Sequence, residues 1–150
     1  MRINQEFFNK IYPTLSELKK IIGPNFIIFG SAPLYLLGVL DFNQESRLND
    51  IDIAIRDEEI VAPNAQIVLF HEDPRQKLYK LSINNINVDI GGPWPGQEEY
   101  FEKIFKDPVI VDGFKFANLN ICQEWKELMV GKYNREKDRY YLQKIKEFKK

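Results

Sequence analysis

Asn49-Asp50-Ile51-Asp52-Ile53-Ala54-Ile55 is the most informative stretch of this chain. Its alternation predicts a strand with the isoleucines on one face and with Asp50, Asp52 and Ala54 on the other. The two carboxylates then point the same way, roughly 6.6 Å apart along the strand. Because like charges on one face repel each other, the pattern indicates a bound divalent cation, and carboxylate oxygens suit Mg²⁺ or Mn²⁺.

Two other segments carry the rest of the expected site. The apolar run Phe26–Phe29 predicts a buried strand, and Gly30-Ser31 follows it. We expect Ser31 to cap a helix there, with free N–H groups that bind phosphate. The alternating run Ile86–Ile90 predicts another strand with Asp89 on its polar face. If the two acidic strands are neighbours, the three carboxylates suit two-metal phosphoryl chemistry, with ions roughly 3.5–4 Å apart.

Each of these residues also has an ordinary structural interpretation. Gly30-Ser31 fits a plain strand-to-helix turn, and Asp50 and Asp52 fit the hydrated face of an edge strand. Aspartate is disfavoured in strands, however, so two at alternate positions favour a functional role. Asn87, two residues before Asp89, also fits a strand face that is exposed to solvent and has no functional role. We expect these residues to have a functional role, because the motifs in this order are more specific than any one of them alone.

These motifs resemble the signature of the polymerase-beta-type nucleotidyltransferase superfamily. The later Trp125-Lys126-Glu127-Leu128 and Lys137-Asp138 are similar to segments of small bacterial members related to abortive-infection toxins and lincosamide-modifying enzymes. In those proteins a Lys-Asp pair opens the last helix. The resemblance covers roughly residues 26–145, about the size of one domain.

The resemblance implies an activity, namely transfer of a nucleoside monophosphate from a nucleoside triphosphate such as ATP to an acceptor hydroxyl. The acceptor is a small molecule, RNA or a protein, and the toxin relatives imply a toxin–antitoxin setting. Catalytic and metal-binding roles fall to Asp50, Asp52 and Asp89, and nucleotide-binding roles to Gly30, Ser31 and Lys137. The Asp89 position is a third metal ligand that helps to deprotonate the attacking hydroxyl.

Composition indicates a water-soluble protein with one domain over residues 1–150, and the resemblance implies that this domain is nucleotidyltransferase-like. The chain is 44% hydrophobic and 29% charged, which is ordinary for a globular protein. Cys122 is its only cysteine, which excludes an internal disulfide or a cysteine zinc cluster and favours a reducing cytoplasm. No apolar stretch has the length of a membrane span or a signal peptide, so we expect a cytoplasmic protein without a membrane partner.

The remaining patterns predict an α+β fold with a mixed β-sheet flanked by helices. A helix is expected over residues 6–21, kinked or restarted at Pro13, and a buried helix over residues 34–40. Further predicted elements are a polar loop at 41–49, strands at 67–70 and 78–83, a turn at Asn84-Asn85, a helix at 98–105, a hairpin at Asp112-Gly113, and C-terminal helices at 118–130 and 134–148 separated near Gly131.

Charge is unevenly distributed. Residues 131–150 contain eight Lys or Arg and three acids, a balance of +5 in a chain of net charge −1. Basic residues beside an acidic metal site suit a nucleoside triphosphate, but Lys137-Asp138 fits a surface ion-pair ladder equally well. Lys126 fits either the site or an apolar stripe with its ammonium at the surface. Trp94 fits either stacking on a base or packing in the core.

Two other classes of function stay open. One is a catalytically inactive binding module or antitoxin-like partner, and the other is an RNA-binding protein that uses the basic C-terminal helix. Thermal stabilisation by ATP with magnesium favours the enzyme, and magnesium-independent, salt-sensitive RNA binding favours the RNA binder. At 150 residues little chain remains for an acceptor domain, so we expect the acceptor to bind across a homodimer or to come with a partner.

Overall fold

The computed structural model describes residues 2–42, 50–57, 65–69, 77–94 and 96–150. Its elements are α1 (Gln5–Ile22), β1 (Phe26–Phe29), α2 (Ala32–Leu36), β2 (Asp50–Ile55), β3 (Gln66–Leu69), β4 (Lys77–Ile83), β5 (Ile86–Gly91), α3 (Glu98–Ile104), β6 (Val109–Val111), β7 (Phe114–Phe116), α4 (Leu119–Tyr133) and α5 (Glu136–Phe148). Most of the predicted loop at 41–49, and Phe70 at the end of the predicted strand 67–70, lie outside the described residues.

Within these ranges seven strands form one mixed sheet in the order β3-β4-β5-β2-β1-β7-β6. Strand β2 pairs with β1 in antiparallel and with β5 in parallel orientation. It is therefore a central strand, so the interpretation of Asp50 and Asp52 as the wet face of an edge strand is wrong. The predicted α+β class with a mixed, helix-flanked sheet is confirmed.

Helices cover both faces of the sheet. On one face, α1 packs against the isoleucines of β2 and against apolar residues of the strands on either side. On the other face, Ala54 of β2 lies in a second core with Phe101 of α3, Cys122 of α4 and Ile145 of α5. Because side chains alternate along β2, Asp50 and Asp52 share the face of Ala54 and lie on the side of the last three helices.

Helix α1 is continuous and contains Pro13, so the predicted restart at that residue is wrong. It begins at Asn4, whose side chain accepts a hydrogen bond from the Phe7 N–H, and it ends at Gly23. A proline inside a helix costs about 3 kcal/mol. Burial of six apolar side chains offsets this cost, because each contributes about 1.5–3 kcal/mol.

The predicted hairpin turns are confirmed. Asn84 and Asn85 have φ of 53° and 63°, and Asp112 and Gly113 have φ of 48° and 82°, as tight turns between antiparallel strands require. The first turn fixes the register of β4 against β5 and places Lys80 directly opposite Asp89. No helix in the described part of the chain has the length and apolar character needed to cross a membrane.

The boundary between the last two helices differs from the prediction, since Gly131 lies inside α4 and not between α4 and α5. Helix α4 ends at Asn134, which has the left-handed values φ 54° and ψ 37° and donates its N–H to the Val130 carbonyl. Asparagine tolerates this conformation and often ends helices in this way. The chain then turns back, so that Arg135 and the first turn of α5 lie against α4.

Candidate active site

Three carboxylates lie on one face at the centre of the sheet. Asp52 of β2 is paired in register with Asp89 of β5, and Asp50 is paired with Asn87. The carboxylates of Asp50, Asp52 and Asp89 all line one cleft of about 960 Å³, including its open mouth.

Gly30 makes room for one of these carboxylates. Its φ is +76°, and a Cβ at this position would lie 2.2 Å from Oδ2 of Asp52. Both the backbone conformation and the close approach therefore require glycine. The next residue, Ser31, lines the cleft, as does Tyr141 of α5. Ser31 makes no side-chain cap of the five-residue helix α2, so the prediction that it caps a helix is wrong in this respect.

Replacing Gly30 with alanine is expected to lower the free energy of unfolding by about 1–2 kcal/mol through backbone strain alone and to displace the Asp52 carboxylate. Gly38 is the matched control, because its φ is +81° and a Cβ there would have no neighbour within 4 Å. Chemical denaturation should show a loss in both variants. Only Gly30→Ala should also lose divalent-ion binding, and equal ion binding in the two variants would refute this role of Gly30.

Asp52 carries an electrostatic cost in this site. The pKa of Asp52 is raised from 3.8 to about 6. Burial is the main cause and the charges of Asp89 and Asp50 add to it, while the Lys126 and Lys137 ammonium groups oppose the shift. A buried carboxylate beside two others is costly to ionise, and a bound cation would remove that cost. The set of hard oxygen donors therefore fits a divalent cation.

We expect Asp52→Asn to stabilise the metal-free protein at neutral pH. Because the pKa of Asp52 is about 6 in the folded protein and 3.8 in the unfolded chain, its contribution becomes destabilising as the pH rises through this window. Two pKa units correspond to about 3 kcal/mol, which is the upper bound of the gain at pH 8. Urea denaturation with a chelator should show this gain at pH 8 and its disappearance at pH 4. An equal effect at both pH values would contradict it.

A buried ion-pair network forms the opposite wall of the cleft. The Lys126 ammonium of α4 lies 3.1 Å from Oδ1 of Asp138, and Nε of Arg135 lies 2.7 Å from Oδ2 of the same carboxylate. Asp138 has no exposed surface and Lys126 is 5% exposed. The interpretation of Lys137-Asp138 as a surface ion-pair ladder is therefore wrong for Asp138. Lys126 does not extend to the surface either, because its ammonium lies 4.6 Å from the ring centroid of Tyr141.

The charges of this network are strongly coupled. Burial lowers the pKa of Lys126, while the charge of Asp138 and its hydrogen bond oppose that shift. Burial alone would raise the pKa of Asp138, but the hydrogen bond from Arg135 and the interaction with Lys126 bring the net value below its ordinary range. Asp138 therefore holds two cations at the cleft, and the sequence identified neither Arg135 nor this role of Asp138.

Aromatic side chains also line the cleft. The ring of Trp94 is 9% exposed and stacks on Trp125, with centroids 4.7 Å apart and an interplanar angle of 29°. Tyr100 stacks on the Trp94 ring and Phe29 packs against it at a tilt. Trp94 is thus packed in the core, but it also lines the cleft, so stacking on a base stays a prediction. Trp125 and Phe29 also line the cleft and supply an apolar wall.

Lys137, predicted to contact the nucleotide, also lines the cleft from the exposed start of α5. The metal site is less complete than the three carboxylates suggested. In the described ranges, no group of three or more His, Cys, Asp or Glu is gathered closely enough to hold a metal ion. Oδ1 of Asp89 instead lies 3.0 Å from the Lys80 ammonium. Asp50 and Asp52 also line the cleft, and their oxygens are of the kind that Mg²⁺ and Mn²⁺ prefer.

No family model and no curated protein sequence matches this chain. Among solved structures, the chain is similar to the Megavirus polyadenylate synthase, with a TM-score of 0.56 and 10% sequence identity. The fold is nucleotidyltransferase-like. The match covers 93% of this chain and 31% of the viral one, so this chain spans about a third of the length of its structural neighbour. At this identity the likeness establishes the nucleotidyltransferase-like fold and nothing finer.

Proposed function

We propose that this chain is a metal-dependent nucleotidyltransferase that moves a nucleoside monophosphate from a nucleoside triphosphate to an acceptor hydroxyl. One observation carries the proposal. On a nucleotidyltransferase-like fold, Asp50, Asp52 and Asp89 line the same cleft as the cations of α4 and α5. Catalysis of this kind depends on positioning and charge neutralisation, and both call for such an arrangement.

The charge layout of the cleft suits a triphosphate with its metal. The sheet supplies carboxylates on one side, and the helices supply Lys126, Arg135 and Lys137 on the other. Asp50 and Asp52 would hold the Mg²⁺ or Mn²⁺, which when bound neutralises the triphosphate and makes the α-phosphorus easier to attack. These three cations would contact the phosphate oxygens. Asp138 would hold two of the cations, Lys126 and Arg135, in place.

The transfer itself breaks one bond and makes one. The acceptor oxygen attacks the α-phosphorus, and the bond from that phosphorus to the oxygen bridging to the β-phosphate breaks, so that pyrophosphate leaves. Asp89 would accept the proton of the acceptor hydroxyl. The aromatic wall formed by Phe29 and Trp125 would contact an uncharged ring of the substrate, either the base or part of the acceptor.

We further propose that the chain belongs with the small bacterial nucleotidyltransferases that resemble abortive-infection toxins and lincosamide-modifying enzymes. The support is that Lys126, Lys137 and Asp138, which carry the resemblance in the C-terminal part, all line the cleft. This placement also counts against an RNA-binding protein that uses the basic C-terminal helix, because Lys137 of α5 and Arg135 just before it line the cleft.

The deciding experiment uses α-labelled nucleoside triphosphates. Each triphosphate is incubated with the protein, magnesium and a cell extract, and the labelled product is classified as a small molecule, RNA or protein. We expect label in one class, with release of pyrophosphate and loss of transfer when a chelator is added. RNA binding without magnesium and without label would support the RNA-binding alternative. A stable protein complex without any nucleotide effect would support the inactive module.

A further inference from the structure

A single row of side chains crosses three strands at the level of the proposed metal site. Asp52 of β2 is in register with Asp89 of β5, and Asp89 is in register with Lys80 of β4. Directly opposed positions on neighbouring strands bring their side chains to one face and into contact distance. The row therefore consists of two carboxylates followed by an ammonium group.

The ammonium of Lys80 lies against a carboxylate oxygen of Asp89 that would otherwise be free to bind a metal ion. Its Nζ lies 3.0 Å from Oδ1 of Asp89, a distance at which the oxygen is engaged in a charge-assisted hydrogen bond. The side chain of Asp89 is 14% exposed, whereas that of Lys80 is 42% exposed. The carboxylate is thus held in place by the sheet, and the lysine reaches it from the solvent side.

The other cations of the cleft have different partners. Lys126 and Arg135 both bind the buried carboxylate of Asp138. Lys137 lies near the ring of Tyr141, with its Nζ 5.8 Å from the ring centroid. Among these cations, Lys80 is thus the one paired with Asp89. In the described part of the chain no group of three or more His, Cys, Asp or Glu is gathered closely enough to hold a metal ion.

We propose that Lys80 is a positioning residue that holds Asp89 in place of a second divalent ion. This inference deepens the proposed function and depends on it. In the nucleotide-free protein, one ion binds at Asp50 and Asp52, and the position beside Asp89 is held by the ammonium. A second ion binds there only when Lys80 is displaced from the carboxylate.

The exposure of the pair makes such an exchange accessible. Half-exposed ion pairs are weak. Competition from Lys80 therefore lowers the affinity of Asp89 for a metal cation by only about fivefold. The lysine has a flexible four-carbon stem and can move into solvent without disturbing the sheet. Asp89 by contrast stays on a central strand pair, so its oxygens remain directed at the cleft.

The test is Mn²⁺ binding to the full-length protein without nucleotide, measured by electron paramagnetic resonance of the free ion. Lys80→Met removes the charge and keeps the length of the side chain, and Lys80→Gln is a second variant of the same kind. Lys77→Met is the matched control, because Lys77 lies on the same strand as Lys80 and lines the cleft. The double variant Lys80→Met/Asp89→Asn removes the proposed second ligand.

We expect one ion of higher affinity in the wild-type protein and a second ion whose Kd tightens about fivefold or more in Lys80→Met and Lys80→Gln. Lys77→Met should leave the second ion unchanged, and Asp89→Asn should abolish the gain. Unchanged affinity in the Lys80 variants, or an equal gain in Lys77→Met, would overturn the inference and leave the proposed function standing. Failure of the wild-type protein to bind even one ion would overturn both.

Discussion

Asp52→Asn is expected to reduce nucleotidyl transfer by about 10³-fold or more while leaving the chain folded. Removal of a single electrostatic contact to a transition state already costs about 10²–10³ in rate. Asp52 is expected to do more, because under the proposal it holds the metal ion together with Asp50, and both residues line the cleft. The fold should persist because the pKa of the Asp52 carboxyl is already raised to about 6, so a neutral amide removes an electrostatic cost.

The measurement is the initial rate of label transfer from the preferred triphosphate, with far-ultraviolet circular dichroism as a check on folding. Asp41→Asn is the matched control, because Asp41 is exposed and lies in a separate depression with Tyr35 and Tyr140. It should retain the wild-type rate. Undiminished transfer by Asp52→Asn would show that the reaction takes place elsewhere.

Asp138→Ala is expected to lower the free energy of unfolding by about 3–5 kcal/mol at neutral pH. The change leaves the buried ammonium of Lys126 without its partner, and an uncompensated buried charge is costly. The sign of the pH dependence follows from the lowered pKa of Asp138 in the folded protein. The ionised Asp138 carboxylate stabilises the folded protein fully at pH values above the ordinary pKa of an aspartate. This stabilisation is lost as the pH falls through the lowered pKa of Asp138 in the folded protein.

Urea denaturation of Asp138→Ala and Glu136→Ala measures this effect against a suitable control, since Glu136 is an exposed acid in the same turn of α5. Glu136→Ala should change stability by less than about 1 kcal/mol. The double variant Lys126→Met/Asp138→Ala should recover part of the loss, because no buried charge is left unpaired. A loss below about 1 kcal/mol for Asp138→Ala would contradict the network.

Local patterns were sufficient to predict the sheet face of the site. Alternation in β2 and β5 depends only on the geometry of a strand, so Asp50, Asp52 and Asp89 could be assigned to one polar face before their pairing was known. The Asn84-Asn85 turn also fixed a register that would have revealed Lys80, because equal counts on either side of the turn pair it with Asp89. The sequence alone therefore contains the signal that pairs Lys80 with Asp89.

The helical wall could not be predicted in the same way. Arg135 and Lys126 are nine residues apart in sequence, and only the turn at Asn134 brings both to Asp138. Charge patterning alone does not distinguish a buried ion pair from a surface ladder, because both place Lys, Arg and Asp at helical spacing. The break was expected at Gly131, but a glycine is tolerated inside a helix, and the left-handed Asn134 ended α4 instead.

The most direct test of the account is calorimetric titration with a non-hydrolysable nucleoside triphosphate analogue, performed with magnesium and again with a chelator. The account predicts binding that requires magnesium and that is lost in the Asp50→Asn/Asp52→Asn double variant. Binding of equal strength in the presence of chelator, or in the double variant, would contradict a metal-dependent triphosphate site at these carboxylates.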